Sequence, residues 1–305
     1  TAAVGLKPYS TVRYEFNTTQ PVANDPNITS AVKYSGDGGL SEVYFGHGVK
    51  VAKDLIIGAS ASYVFGTITN RYTTALSGAN FQQVQISEET RFNDFLFKAG
   101  LAYRVKLAGK YNLGFGGFYN LGTDLDARRR TVVERLSGNS FNRSLQPDSS
   151  TGSVTMPSNF QAGINFDNGT NWNVNLDVAS QQWNDFRTYE GTAELQNTMR
   201  VGLGGEYVPE PASSNYLRRI TYRGGLSLGQ TPYQFAGEQL KETAVTWGFT
   251  FPVGRSLITE SYFLNLGFAL GKRGTTERQS VQENFIKVQA GISLSNKWFI
   301  QRKLE

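Results

Sequence analysis

One pattern constrains this chain more than any other. Apolar residues recur at every second position over unusually long segments. Trp172, Val174, Leu176 and Val178 make an apolar face, and Asn173, Asn175, Asp177 and Ala179 make a polar or small one. Val245, Trp247, Phe249 and Phe251 alternate in the same way with Ala244, Thr246, Gly248 and Thr250. So do Tyr262, Leu264, Leu266, Phe268 and Leu270, and so do Phe95, Phe97, Ala99, Leu101 and Tyr103. A period of two puts successive side chains on opposite faces of a strand, whereas a helix repeats every 3.6 residues. Strands of soluble domains run to about 5–6 residues. A tilted membrane-crossing strand needs about 9–11, the length these segments reach. No apolar run approaches the roughly 18 residues of a membrane helix.

The alternation divides the chain into about twelve strands. They lie near 4–18, 28–51, 54–75, 81–106, 110–136, 154–167, 171–190, 192–208, 217–230, 236–252, 257–273 and 277–299. Short connections at Ala52-Lys53, Ala108-Gly109, Asp167-Asn168-Gly169-Thr170 and Pro252-Val253-Gly254-Arg255, with a longer one around Val208–Asn215, alternate with longer polar ones near 19–28, 70–80, 137–153, 230–236 and 271–280. Asn-Gly is a strong hairpin signal. The stretch from Ser137 to Ser153, rich in Ser, Asn and Gly, reads as a solvated loop. Short turns at one rim and long loops at the other are the pattern of an outer-membrane barrel. The fold class expected is therefore all-β, an antiparallel transmembrane β-barrel in one domain spanning 1–305. Its apolar stripe faces lipid and its polar, Gly-rich stripe faces the lumen. Trp172, Tyr207, Trp247 and Trp298 are candidate residues of the interfacial aromatic girdles.

Composition narrows the chemistry. Among 305 residues there is no Cys and one His, His47. Disulfides, thiol catalysis and Cys- or His-cluster metal sites are excluded on that count. Gly114, Gly116 and Gly117 lie inside a strand, so they are not a phosphate cradle. The reading calls for no cofactor, no metal, no nucleic acid and no catalytic residue. Charged residues make up 18%, below the roughly 25% usual in soluble domains, and the net charge is +5.

The stretch Pro157-Ser-Asn-Phe-Gln-Ala-Gly163, followed by Trp172, Asp177, Trp183 and Phe186, resembles the FadL-type hydrophobic-compound transporters of the outer membrane. Met199-Arg-Val-Gly-Leu-Gly-Gly-Glu-Tyr207 and Tyr222-Arg-Gly-Gly-Leu226 are similar to the C-terminal half of that family. The ending, from Gly271 to Glu277 and from Ser295 to Glu305, is similar to a Bacteroidetes branch. The likeness is clearest over 157–305. It implies a fourteen-stranded barrel with an N-terminal hatch. The twelve strands seen here fit either a chain lacking its N-terminal portion or a genuine twelve-stranded barrel. It also implies localisation in the cell outer membrane, no enzymatic activity, and uptake of hydrophobic small molecules such as fatty acids. The expected partners are membrane lipid and lipopolysaccharide, the hydrophobic cargo, and other outer-membrane chains. The alternative function is an accessory barrel in a larger outer-membrane secretion complex.

Two sets of candidate site residues follow. Asp177, Glu206, Arg200 and Arg223 fall on the polar phase of their strands, where opposite charges pair or an Arg holds a carboxylate. Pro8 interrupts the first strand, and Gly36, Gly38 and Gly39 interrupt the second, so a bend or wall defect is expected there. The resemblance implies that cargo leaves sideways through such a kink. Glu88, Glu89, Arg91 and Asp94 read as a hydrogen-bonded lumen or rim network, and Arg128, Arg129 and Arg130 as strand continuing beyond the membrane.

Overall fold

The computed structural model describes the chain except residues 23–24, 77–81, 108, 138–139, 144–147, 236, 254–259, 277–281 and 297–305. Backbone alone is described at 22, 25–27, 76, 82, 136–137, 140–143, 260–261 and 295–296. Trp298 and the charged tail thus lie outside the described residues, as do parts of two expected turns.

Among the described residues, twelve antiparallel staves form one sheet. They are β1 (Ala2–Val22), β2 (Asp25–Lys50), β3 (Leu55–Leu76) and β4 (Gln82–Lys106). β5 has two segments, Asn112–Asn120 and Thr123–Ser137, as does β6, Asp148–Met156 and Asn159–Asp167. Shorter staves complete the set: β7 (Trp172–Gln181), β8 (Thr198–Tyr207), β9 (Thr221–Phe235), β10 (Glu238–Pro252), β11 (Glu260–Gly274) and β12 (Gln282–Asn296). Each pairs with its neighbours in sequence, from β1–β2 to β11–β12. Among the described residues no pairing joins β1 to β12, which leaves one seam in the barrel wall.

The outer face is apolar over a limited height. On β3 the outward residues Leu55, Ile57, Ala59, Ala61, Tyr63 and Phe65 give way to Thr67, Thr69 and Arg71. On β4, Tyr103, Leu101, Ala99, Phe97 and Phe95 give way to Asn93, Arg91 and Glu89, and the two sets pair row by row. Ten strand intervals rise roughly 33 Å, which a tilt of about 40° reduces to about 25 Å, the height of a bilayer's apolar band. Leu101 and Phe97 are 54% and 52% exposed, so these side chains point away from the interior. Aromatic residues mark both edges of the band. Trp172 packs against Phe166 and Tyr111 at the short-turn rim. Tyr63, Phe65 and Phe95 cluster at the other.

Above this band the sheet does not stop. β1 to β4 run 21–26 residues, so the loops expected near 19–28 and 70–80 are largely strand. The expected loop from Ser137 to Ser153 contains strand at Ser140–Arg143 and Asp148–Ser153. Polar composition misleads here because both faces of a projecting sheet meet water, which removes the apolar alternation without removing the strand. At the band's upper edge the wall bends on several staves. β1 bulges between Pro8 and Ser10. Gly38 of β2 sits at φ +117° and Gly66 of β3 at φ +155°, each pressed against the backbone of the other strand. β5 breaks at Leu121-Gly122, and β6 at Pro157-Ser158.

Candidate functional site: a lumen in two halves

The interior is apolar at the level of these bends. Leu40, Val64 and Leu125 are buried, Val64 completely, and Tyr9, Phe92, Leu96 and Met156 pack against them. All come from the inward phase of β1 to β6. They constrict the lumen from its tall side. Beside them lies a cavity of about 280 Å³ bordered by Lys7, Tyr9, Glu42, Leu96, Lys98 and Met156. Its polar edge is closed by Glu42, which accepts a hydrogen bond from Ser62 Oγ at 2.8 Å and lies 3.5 Å from Lys7 Nζ. The same cavity touches Phe97 and Leu121, which point to the outer face, and Pro157 at the break in β6. The interior cluster therefore sits directly behind the place where the wall is least regular. This constriction was not foreseen. Its signal was present, since Leu40, Val64, Leu96 and Leu125 are bulky apolar residues on the polar phase of their strands.

Below the constriction the lumen is polar. Two hydrogen-bonded runs of side chains line the inner wall. Arg104 Nη2 donates to both oxygens of Asp167, which also accepts from Asn112. Asn165 donates to Asn175, Asn175 to Asn173, and Asn173 to Glu206 at 2.6 Å. Arg223 donates to Glu206 at 3.1 Å and to Thr250 at 2.7 Å. Thr250 donates to Asn265 and Asn265 to Ser293 of β12. Each link crosses between staves or along one. Polar groups facing a lumen at membrane depth are held this way because each donor left unmatched loses a full hydrogen bond.

The four charged candidates all line a cavity of about 1200 Å³ in this lower half. Glu206 and Arg223 are register partners and form an ion pair. Arg200 is paired not with Asp177 but with Glu242, at 3.7 Å, and Glu242 also takes Arg273 at 2.6 Å. Asp177 stands opposite Gly163 and Gly202, with its carboxylate packed over Gly163. Glu242 and Arg273 lie within the strands read at 236–252 and 257–273, and were missed because the apolar alternation that marks phase begins only at Ala244 and stops at Gly271. Of the wall candidates, Pro8 lies at the β1 bulge, with the ladder paired on both sides of it. The bulge faces Ser41 and Leu40; Gly39 and Gly38 pair with Thr11 and Val12 just beyond it, and Gly36 lies beneath the Tyr14 ring. Glu88 faces inward and Arg91 pairs with Glu89 on the outer side.

Pairing, apolar outer band and divided lumen describe a transmembrane barrel, and the whole length of the chain, residues 1–305, matches the family model described as BamG. The chain belongs to the BamG family. That family name differs from the FadL-type one implied by the motifs, yet the fold is shared. The toluene transporter TodX of Pseudomonas putida is similar with a TM-score of 0.50 at 15% identity, over 97% of this chain and 87% of that one. A FadL homologue of Pseudomonas aeruginosa is similar with a TM-score of 0.52 at 10% identity, over 91% of this chain and 76% of that one. No curated protein matches the chain. The FadL-like barrel fold expected from residues 157–305 thus extends over nearly the whole BamG-family chain.

Proposed function

We propose that this outer-membrane barrel passes hydrophobic small molecules, without catalysis, by way of the apolar constriction formed by Tyr9, Leu40, Val64, Leu96, Leu125 and Met156. One observation carries this reading: bulky apolar side chains are gathered inside a lumen whose lower wall carries hydrogen-bonded polar side chains. An apolar solute gains from contact with that cluster and loses by moving into the hydrogen-bonded lower half, so the favoured exit is sideways. The irregular wall at Pro8, Leu121-Gly122 and Pro157-Ser158 lies beside the cluster, at the upper edge of the lipid-facing band. Release there moves cargo from one apolar setting to another. The charged candidates Asp177, Glu206, Arg200 and Arg223 then keep the lower lumen polar, with Glu206 already neutralising Arg223. The seam between β1 and β12 exposes backbone groups at membrane depth, which lipid cannot satisfy.

Entry of radiolabelled toluene into proteoliposomes tests the proposal. It predicts protein-dependent entry that falls when Leu125→Arg places a charge in the constriction. Entry no faster than through protein-free vesicles would overturn it.

A second reading, an accessory barrel within a larger outer-membrane complex, is favoured by the projecting sheet of β1 to β4, which offers a broad contact face beyond the membrane. Detergent extraction under mild conditions separates the two. Stoichiometric co-purification with other membrane chains, together with no toluene entry, supports the second.

A further inference from the structure

The connection from β7 to β8 does not arch away from the mouth. It begins with a short 3-10 turn, Trp183–Asp185, after Gln182 N donates to Ser158 O at 3.0 Å. Arg187 then pairs with Thr155 on the upper part of β6. The tip reaches further, across β6 to the inner face of β5. There the Arg129 guanidinium lies 4.2 Å from the Tyr189 ring centre and donates to Glu190 at 2.7 Å. The Tyr189 ring rests on Gly152, where a Cβ would come within 2.9 Å of it. Glu88 of β4 is 3.9 Å from the same guanidinium. On the far side Gln196 N donates to Pro232 O, and Gln239 donates to Asn197 O at 2.7 Å. The segment is therefore tied down at both ends and at its tip. Its tip also lies close to Tyr72 of β3, whose phenol is pushed up from its ordinary range by burial and by the nearby charges of Glu88 and Glu190.

We propose that this connection is a strap drawn over the outer mouth and held shut by Arg129 against Tyr189 and Glu190, so that hydrophobic cargo enters when the tip lifts. The proposal rests on the lumen being a conduit for such cargo. The residues suit a latch more than a rigid plug. The tip buries no apolar side chain completely, and it is held to the wall by a cation–π contact, an ion pair and the single strand pairing of Arg187 with Thr155. Each is modest in strength and quickly remade. A glycine seat lets the ring lie flat and leave without disturbing the wall behind it.

The absence of cysteine from the chain allows a direct test. Thr90, buried beside Arg129 in register, serves as reporter through Thr90→Cys. With a membrane-impermeant maleimide added outside, labelling of Thr90→Cys is expected to quicken about tenfold when Tyr189→Ala removes the cation–π contact. Gly152→Val, which unseats the ring by another route, should act in the same direction. Equal labelling rates in all three proteins would overturn the strap. The conduit is read separately. Thr155 and Arg187 are strand partners, at a Cα spacing of about 5 Å that suits a disulfide. In Thr155→Cys/Arg187→Cys, oxidation should stop toluene entry and reduction restore it in the same molecules. Entry that is equal in both states overturns the strap but leaves the conduit standing. Labelling that responds to Tyr189→Ala, with no toluene entry in the unmodified protein, overturns the conduit and leaves the strap.

Discussion

At the scale of single residues, position relative to the band decides what a side chain does. Val64 and Phe65 are neighbours in sequence; Val64 is fully enclosed and Phe65 is 39% exposed to what surrounds the barrel. Removing part of a buried side chain leaves a cavity that the stiff sheet cannot fill. Leu125→Ala is therefore expected to lower unfolding stability by about 2–5 kcal/mol, measured by denaturant titration in detergent micelles. Arg223→Gln should behave differently. Its partner Glu206 keeps a hydrogen bond from Asn173, and both groups face an open cavity. A change of no more than about 1 kcal/mol in the same titration is expected for such a pair. The pairing of Glu206 with Arg223 follows from strand phase and register once the hairpin is known. The partner of Arg200 was not legible. Which charge an Arg meets depends on the register of the next strand but one, and sequence alone does not set that.

At the scale of strands, alternation told more than composition. It located the β7, β8, β10 and β11 membrane crossings, although it ran β7 on to residue 190 and began β8 at 192 where the structure has the connection 182–197, and it located the Asn168-Gly169 turn, where Gly169 takes φ +71° and Asn168 Oδ1 caps the next amides. It failed where a strand leaves the membrane, as in β1, β2 and the Asp148–Met156 segment of β6, because the physical cause of alternation ends there while the hydrogen-bond ladder continues. The boundary makes a prediction. Leu101→Arg places a charge in the apolar band and should cost about 2–4 kcal/mol. Thr69→Arg, outward on β3 but above the band, should cost almost nothing. Folding yield into lipid vesicles distinguishes them, and equal costs would place the boundary elsewhere.

At the scale of the whole molecule, the barrel divides by height and by side. Its lower half is a polar, cross-linked lumen; its upper half is constricted by apolar side chains from β1 to β6 and crossed by the β7–β8 connection. The fold class was legible because a closed or nearly closed sheet in lipid forces one face to be apolar throughout. The constriction was not, since a handful of apolar residues on the inner phase resembles noise until the strands stand side by side.

Everything rests on which way the apolar stripe looks. Single cysteines placed in turn from Phe95 to Tyr103, carrying nitroxide labels in lipid bilayers, report it directly. Odd positions should collide with oxygen dissolved in lipid, and even positions with a water-soluble nickel complex, alternating along the strand. The opposite phase, or no alternation, would contradict the account.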